Sequence, residues 1–406
     1  MTVQLHSGLA HVAPGDWQAL NSAGRVDRSH AYLGFREHVE PGDAVVATLD
    51  DERGLLAAVH GAMSRSDSAL FSHPWKMLTS EQFLRADDDS LERVRAEHSA
   101  LVDAIAGPGD ASEQASRLAA VLGEALVIRG FDNSEVIFRQ DLSGQQRSES
   151  ALRLVEYLQD RVREGLAGAL VFPFVSAGNS ELTDVLVRLG FQRATLTAVT
   201  FFDVSGFRSY DAFLAALPAR YRRRYRIEEQ AMDRSHLHMA TTPLRDSFSR
   251  IVELEALNAE KYGGKPDRGR LGRTRREMAE RLDTAIRIPV AVSDDAEIVA
   301  CGIHLVDENS YCNLVYGCDY AVEERATAYQ WINFYDPLRY ATSRGIKRVR
   351  LGFEAFSAKL QRGARLDPRE TWLWVPDPGR QVALEGLVKF LDERGSGYFE
   401  QFTVKR

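Results

Sequence analysis

Three ionisable side chains follow one predicted strand near the C-terminal end of the chain. Glu354, Lys359 and Arg362 come after residues 346–353, which have the apolar and β-branched composition of a strand. Open α/β sheets bind ligands at the carboxyl ends of their strands. There a carboxylate can take a proton from an amine, and a cation can stabilise an oxyanion or bind phosphate. These residue types predict an acyl-transfer site that forms amides, and an ordinary ion pair at a loop is the alternative.

Further polar residues lie on the elements that precede this strand. Residues 311–316 have the β-branched and aromatic composition of a strand, and apolar residues of segment 326–342 recur at helical spacing. Pro337 should kink that helix, and Gly345 should end it. The candidate residues are Glu354, Lys359 and Tyr316 for catalysis, and Asp319, Asn333, Tyr335 and Arg362 for substrate binding.

A basic stretch begins after Pro218. Between residues 218 and 287 there are 17 Lys and Arg against 11 Asp and Glu, an excess of six, although the whole chain carries −7. Such asymmetry favours an anionic partner for one face, and a solvated helix face is the alternative. The residues that we expect to bind the anion are Arg222, Arg223, Arg224 and Arg226 on one helix, with Arg273, Arg275 and Arg276 beyond it.

An internal repeat predicts the architecture. Residues 46–60 and 290–304 both read as a strand, an Asp-Asp turn and a second strand that ends in histidine, at an offset of 244 residues. The histidines, His60 and His304, are expected to be core residues. A later helix–Gly–strand pattern also occurs twice. We therefore predict two units, 1–205 and 206–406. The first has no catalytic cluster, so we expect a degenerate scaffold that completes a cleft or forms a homodimer.

The composition argues against several other classes of protein. The chain has 406 residues, 44% hydrophobic, with no apolar run of membrane-spanning length, so we expect no membrane partner. Three cysteines form no CxxC pair, which favours a reduced cytoplasmic protein without a metal. The negative net charge argues mildly against a general nucleic-acid binder.

The same residues resemble a known family. The predicted strand, helix and strand of residues 311–353 resemble the C-terminal half of the GNAT acyltransferase fold. The run Gly352, Glu354, Lys359, Arg362, Gly363, with Pro368 and Trp372, is similar to the GNAT-like peptidoglycan biosynthesis/recognition proteins and the FemAB-type aminoacyltransferases. The resemblance covers most of residues 200–376 and, more faintly, the N-terminal half. It implies an α/β (α+β) fold of two tandem GNAT-like units, each a mixed central sheet flanked by helices.

The resemblance also bears on the acyl donor. Coenzyme-A-dependent GNAT proteins bind the pyrophosphate in a glycine-containing loop, but no glycine occurs between Asp319 and Arg344, and Glu323 and Glu324 stand at that place. FemAB-type enzymes use aminoacyl-tRNA, whose phosphates would suit the basic helix, and need no bound cofactor or metal. We expect the protein to transfer an aminoacyl group from aminoacyl-tRNA to the amine of a small molecule or peptide precursor. Of the possible pathways, we favour secondary metabolism. An acyl-CoA-dependent N-acyltransferase and a non-catalytic recognition module are the alternatives.

Overall fold

Both strands and helices occur throughout the described part of the chain. A computed structural model describes residues 1–21, 23–40, 42–85 and 90–403. The strands are β1 (Thr2–His6), β2 (Ala44–Asp51), β3 (Gly54–Met63), β4 (Ala125–Ile128), β5 (Ile137–Phe138), β6 (Ala169–Ser176), β7 (Gln192–Asp203), β8 (His238–Thr241), β9 (Ile286–Arg287), β10 (Pro289–Val292), β11 (Ile298–Val306), β12 (Ser310–Cys318), β13 (Arg348–Gly352) and β14 (Arg365–Trp374).

The helices cover the segments between these strands. They are α1 (Pro14–Leu20), α2 (His30–Val39), α3 (Pro74–Thr79), α4 (Leu91–Ala106), α5 (Ala111–Leu122), α6 (Gly144–Arg163), α7 (Ser180–Arg188), α8 (Tyr210–Ala216), α9 (Ala219–Asp233), α10 (Phe248–Lys261), α11 (Arg268–Arg281), α12 (Arg325–Gln330), α13 (Asp336–Arg344), α14 (Phe356–Leu360) and α15 (Pro378–Thr403). A π-helical segment, Trp331–Tyr335, joins α12 to α13. No helix among the described residues has the length and apolar character that a membrane crossing requires.

The chain divides into two compact units. Unit 1 comprises Met1–Ala23, Arg28–Ala198 and Leu366–Arg406, and unit 2 comprises Gly24–Asp27 and Val199–Arg365. This division differs from the expected border at 205/206, chiefly because the last strand and helix belong to unit 1. The reason is strand pairing: β14 runs antiparallel to β6 from Arg369↔Ser176 to Trp374↔Leu170.

Unit 1 is built on a mixed sheet. Its strand order is β1-β2-β3-β4-β6-β14-β7, with β5 beside β3. The β2–β3 hairpin confirms the first predicted repeat. β4 and β6 are parallel, paired from Ala125↔Ala169 to Val127↔Val171. The alternating apolar side chains of these strands pack on the amphipathic helices α6 and α7, so the core lies between sheet and helices.

Unit 2 repeats the arrangement. The end of β7 is followed in its sheet by β13, β12, β11, β10 and β8, with β9 beside β11. β10 and β11 form the second predicted hairpin, and β12 and β13 are the parallel pair. A core of aromatic residues lies under this sheet and includes Tyr225, Phe334 and Tyr335. The observed units thus confirm the predicted α/β (α+β) class, with a mixed sheet and flanking helices in each.

Single residues with strong local preferences correctly predicted how the helix before the candidate site is divided and where it ends. Gly345 ends α13 with φ 71°, the left-handed conformation that favours glycine. Pro337 lies in the first turn of α13, directly after the π-helical segment, because its missing N–H cannot continue the α-helical ladder. Between β13 and Arg362, residues 356–360 form the short helix α14, which the sequence analysis did not predict.

Candidate active site

The parallel strands of unit 2 separate at their carboxyl ends. β12 and β13 pair from Ser310↔Arg348 to Cys312↔Arg350 and no further. In β12 the pairing with β11 skips one residue, since Ile303 faces Val315 and His304 faces Asn313. Such a bulge bends a strand and ends regular pairing. The strands therefore part at the edge of the sheet where α/β folds bind ligands.

A strained turn follows β13. Gly352, Glu354 and Ala355 have φ values of 73°, 57° and 48°. Only glycine adopts this left-handed region freely, and each other residue there costs about 1–3 kcal/mol. The surrounding structure must supply that free energy, and such outliers are common at ligand sites. The turn exposes the carbonyl groups of residues 352 and 353 to the side chain of Lys359.

Lys359 is the buried cation of this site. Its side chain is 6% exposed, and Nζ donates to the Gly352 carbonyl at 3.1 Å and the Phe353 carbonyl at 2.9 Å. Burial lowers the pKa of Lys359 to about 7, and the nearby Glu354 opposes that shift. An ammonium has three N–H donors. One donor is therefore left without an acceptor among the described residues, available to an oxyanion.

The lowered pKa predicts how stability depends on pH. Between pH 7 and the ordinary lysine value of about 10.5, the unfolded chain holds a proton at Lys359 that the folded chain has released. The free energy of unfolding of the wild type, relative to Lys359→Met, should therefore rise with pH across that window, by up to about 1.4 kcal/mol per pH unit. Urea titrations of both proteins at pH 6, 7, 8 and 9 measure the difference. A difference that does not change with pH would contradict the shift.

Two residues predicted to bind substrate belong to a buried network. Arg362 is 4% exposed and donates from Nε and Nη2 to both oxygens of Glu228, at 3.0 and 2.6 Å. Tyr335 is fully buried, and its hydroxyl donates to Glu228 at 3.0 Å. The remaining Nη1 of Arg362 donates to the Ala358 carbonyl at 2.6 Å. In this structure Arg362 therefore fixes the segment after α14 rather than presenting its guanidinium to a phosphate.

The other predicted substrate residues are only half-buried. Asn333, in the π-helical segment, donates to the Tyr329 carbonyl at 3.0 Å. Asp319 accepts from Arg250 at 3.3 Å and from the Ala321 N–H, which closes the turn after β12. The proposed roles of both remain predictions.

The third predicted catalytic residue, Tyr316, lies on the carboxyl-end part of β12. Burial raises the pKa of its hydroxyl, so it is protonated at neutral pH. Its ring packs edge-on against Tyr329, with centroids 5.2 Å apart. It is therefore a hydrogen-bond donor rather than a base.

Glu354 itself is half-buried on the strained turn. Its charge acts on Lys359 and opposes the lowering of that residue's pKa by burial.

The basic residues fall into two groups. Arg224 donates to Glu228 at 2.9 Å, Arg275 pairs with Glu255 and is buried, and Arg222 donates to carbonyls at the end of α8. The exposed group comprises Arg223, Arg226, Arg273 and Arg276. Of the predicted anion-binding set, only this exposed group is available without breaking a hydrogen bond or an ion pair among the described residues.

Asn313 was not among the predicted residues, although it lies where β12 leaves β13. Its Nδ2 donates to the Asn333 carbonyl at 3.0 Å and so connects β12 to the π-helical segment. Beside it His304 is fully buried, and burial lowers its pKa to about 4, which fits the predicted core histidine. An asparagine inside a predicted strand is the only signal that the sequence carried for this contact.

Metal ligands do not converge in the described part of the chain. Cys301, Cys312 and Cys318 are buried thiols, and no three His, Cys, Asp or Glu side chains there could hold an ion. At the start of α12, the carboxylate of Glu324 accepts the backbone N–H of His236 at 3.0 Å.

Comparison with known proteins places this geometry in a family. A family model described as FemAB-like, peptidoglycan biosynthesis/recognition, matches residues 139–403. The crystal structure of FemX has a TM-score of 0.60 at 10% identity, covering 94% of this chain and 99% of that chain. A conserved protein of unknown function from Bacteroides thetaiotaomicron gives a TM-score of 0.53 at 12% identity, covering 92% and 100%.

L-PGS from Bacillus licheniformis gives a TM-score of 0.50 at 12% identity, covering 93% of this chain and 97% of that chain. No curated protein matches the chain. At such identities the structural likenesses establish the fold alone, whereas the family model covers more than half of the chain. The chain therefore belongs to the FemAB-like family, and its fold is similar to that of FemX.

Proposed function

We propose that this protein transfers an aminoacyl group from aminoacyl-tRNA to the primary amine of a peptide or small-molecule precursor. One observation carries the proposal. The buried ammonium of Lys359 is held on two backbone carbonyls at the carboxyl end of β13, beside Glu354, with one N–H donor left over. A fixed cation in a water-poor site is well suited to stabilise the oxyanion of an acyl transfer.

The reaction needs three events at this place. The acceptor nitrogen attacks the ester carbonyl carbon, and the carbonyl oxygen becomes an oxyanion that Lys359 stabilises through its remaining N–H. Glu354 takes the proton that the nitrogen loses. When the tetrahedral intermediate collapses, the bond to the tRNA ribose oxygen breaks, that oxygen receives the proton, and an amide remains. Tyr316, which is protonated, is available to donate a further hydrogen bond.

The exposed arginines of α9 support tRNA as the donor. Arg223 and Arg226 are exposed and have no ion-pair partner among the described residues. The Arg223→Glu/Arg226→Glu double variant is therefore expected to bind total tRNA at least about tenfold more weakly. The slope of log K against log salt should fall by about two, because two phosphate contacts are lost.

The measurement is a tRNA-binding titration at several salt concentrations. The matched control is Arg153→Glu/Arg188→Glu, which makes the same charge change at exposed positions on α6 and α7. If both double variants lose affinity to the same extent, net charge rather than the α9 surface governs binding, and the tRNA site proposed for α9 would be abandoned.

Activity is tested with tRNA charged with labelled amino acids. The full chain is incubated with this donor and a set of primary amines, and formation of labelled amide is followed by mass spectrometry. The family description makes peptidoglycan-type peptides with a free side-chain amine the first acceptors to test. Amide formation from aminoacyl-tRNA supports the proposal. Amide formation from acetyl-coenzyme A alone would replace it with an acyl-CoA-dependent transferase, and binding without turnover would make the protein a recognition module.

A further inference from the structure

Unit 1 contains a buried arginine with an unusual hydrogen-bond deficit. Arg129 directly follows β4 and is 7% exposed. Its Nη1 donates to Glu40 at 2.8 Å. Its Nε and Nη2 are buried and have no hydrogen-bond partner among the described residues. Leaving charged donors unsatisfied in the interior is strongly destabilising, so such a group calls for a specific explanation.

Three of the other buried arginines show one arrangement in which this side of a guanidinium is satisfied. In Arg36, Arg275 and Arg362, Nε and Nη2 donate together to the two oxygens of one carboxylate, as the planar fork favours. The carboxylates are those of Glu40, Glu255 and Glu228. Arg129 presents the same Nε–Nη2 edge, but no carboxylate among the described residues of unit 1 accepts a hydrogen bond from it.

The carboxylates of Glu40 and Glu37 are already engaged. Glu40 accepts the bidentate pair from Arg36 with both oxygens and is shared with Arg129 only through Nη1. Glu37 accepts from His60 at 3.0 Å and from the Leu9 N–H at 2.9 Å. Neither carboxylate can move to the open edge of Arg129 without breaking its present contacts.

The position of Arg129 in unit 1 resembles that of the candidate active site in unit 2. β4 and β6 pair only as far as Val127↔Val171, and Arg129 comes two residues after this last pair. Across the separation, Phe174 of β6 has φ 62°, a strained value for a bulky residue. A separated parallel pair with a strained residue beside it is thus present in both units.

We propose that the Nε–Nη2 edge of Arg129 binds the carboxylate or phosphate group of a small-molecule ligand, so that unit 1 is a binding unit and not merely a scaffold. The anion takes the place that Glu40, Glu255 and Glu228 take on the other arginines. A carboxylate and a phosphate both present two oxygens to the fork, and experiment distinguishes them.

The test is a thermal-stability titration of the full chain. Sodium phosphate and sodium acetate are added separately at millimolar concentrations, with sodium chloride at equal ionic strength as reference. A ligand that binds only the folded state raises the midpoint by mass action. We expect a saturable rise with one of the two anions, and the more effective anion identifies the chemical class of the ligand.

Two variants assign the effect to Arg129. Arg129→Lys keeps the charge but removes the fork, and it should raise the apparent Kd for the effective anion by about tenfold or more. Arg95→Lys, at an exposed position of unit 1, is the matched control and should leave it unchanged. Equal stabilisation of the wild type and Arg129→Lys, or no saturable effect in the wild type, would overturn the proposal.

A measurement on the wild type alone covers the case in which Arg129→Lys does not fold. Hydrogen exchange of the segment 129–135 is followed with and without the effective anion. Slower exchange confined to this segment supports the site. If the thermal midpoint rises but exchange in this segment is unchanged, the anion binds elsewhere, and the proposed site is rejected.

Discussion

Turnover is expected to fall by about 10²–10³-fold when Lys359 is replaced by methionine, because the transition state then loses its buried oxyanion donor. Methionine has a similar length and apolar stem, so the side chain still fills its place. The variant leaves two carbonyl acceptors unsatisfied but no longer buries a cation. We therefore expect a folded protein that binds donor normally, with the loss in kcat rather than in donor affinity.

The pH profile adds an independent readout. If the ammonium is the acting form, wild-type turnover should decline as pH rises through about 7, where Lys359 releases its proton. Lys389→Met is the matched control, since Lys389 is exposed on α15 and its loss should leave turnover unchanged. Full activity of Lys359→Met, with the same pH profile as the wild type, would remove Lys359 from the catalytic site.

The second large effect is on stability. Glu228→Gln should lower the free energy of unfolding by about 3–5 kcal/mol, because it leaves the buried guanidinium of Arg362 without its counter-charge. Glu228 also accepts from Arg224 and Tyr335, so one substitution weakens three hydrogen-bonded contacts. Denaturant titration at fixed pH measures the loss. The fluorescence midpoint and the circular dichroism midpoint should shift together.

The adjacent residue offers a control for that experiment. Glu229 is partly exposed and pairs with Arg339 at 3.1 Å, so Glu229→Gln should cost at most about 1 kcal/mol. If the two substitutions cost the same, the buried network does not hold the segment after α14. Arg362 would then again be a candidate for phosphate binding.

Much of unit 2 follows from short-range patterns. The strand, helix and strand of residues 310–352 were predictable because β-branched composition, helical spacing and the glycine stop are all local. The duplicated hairpins were visible because repeated sequence produces repeated structure. Glu354 and Lys359 could be named because chemistry-bearing residues follow a strand. The sequence did not predict that Lys359 donates to backbone carbonyls. These carbonyls are presented by a left-handed turn, and that turn contains non-glycine residues, which do not signal such a conformation.

The sequence by itself determined the elements and the residue types available for chemistry, because both depend on neighbours along the chain. Tertiary structure alone decided which charged side chains remain available to bind a partner. Arg223 and Arg224 are adjacent and chemically identical, yet one is exposed and the other pairs with Glu228. The unit to which β14 belongs was decided in the same way, by pairing with β6 almost 200 residues earlier. Burial and long-range pairing depend on the packed fold, and no local pattern encodes them.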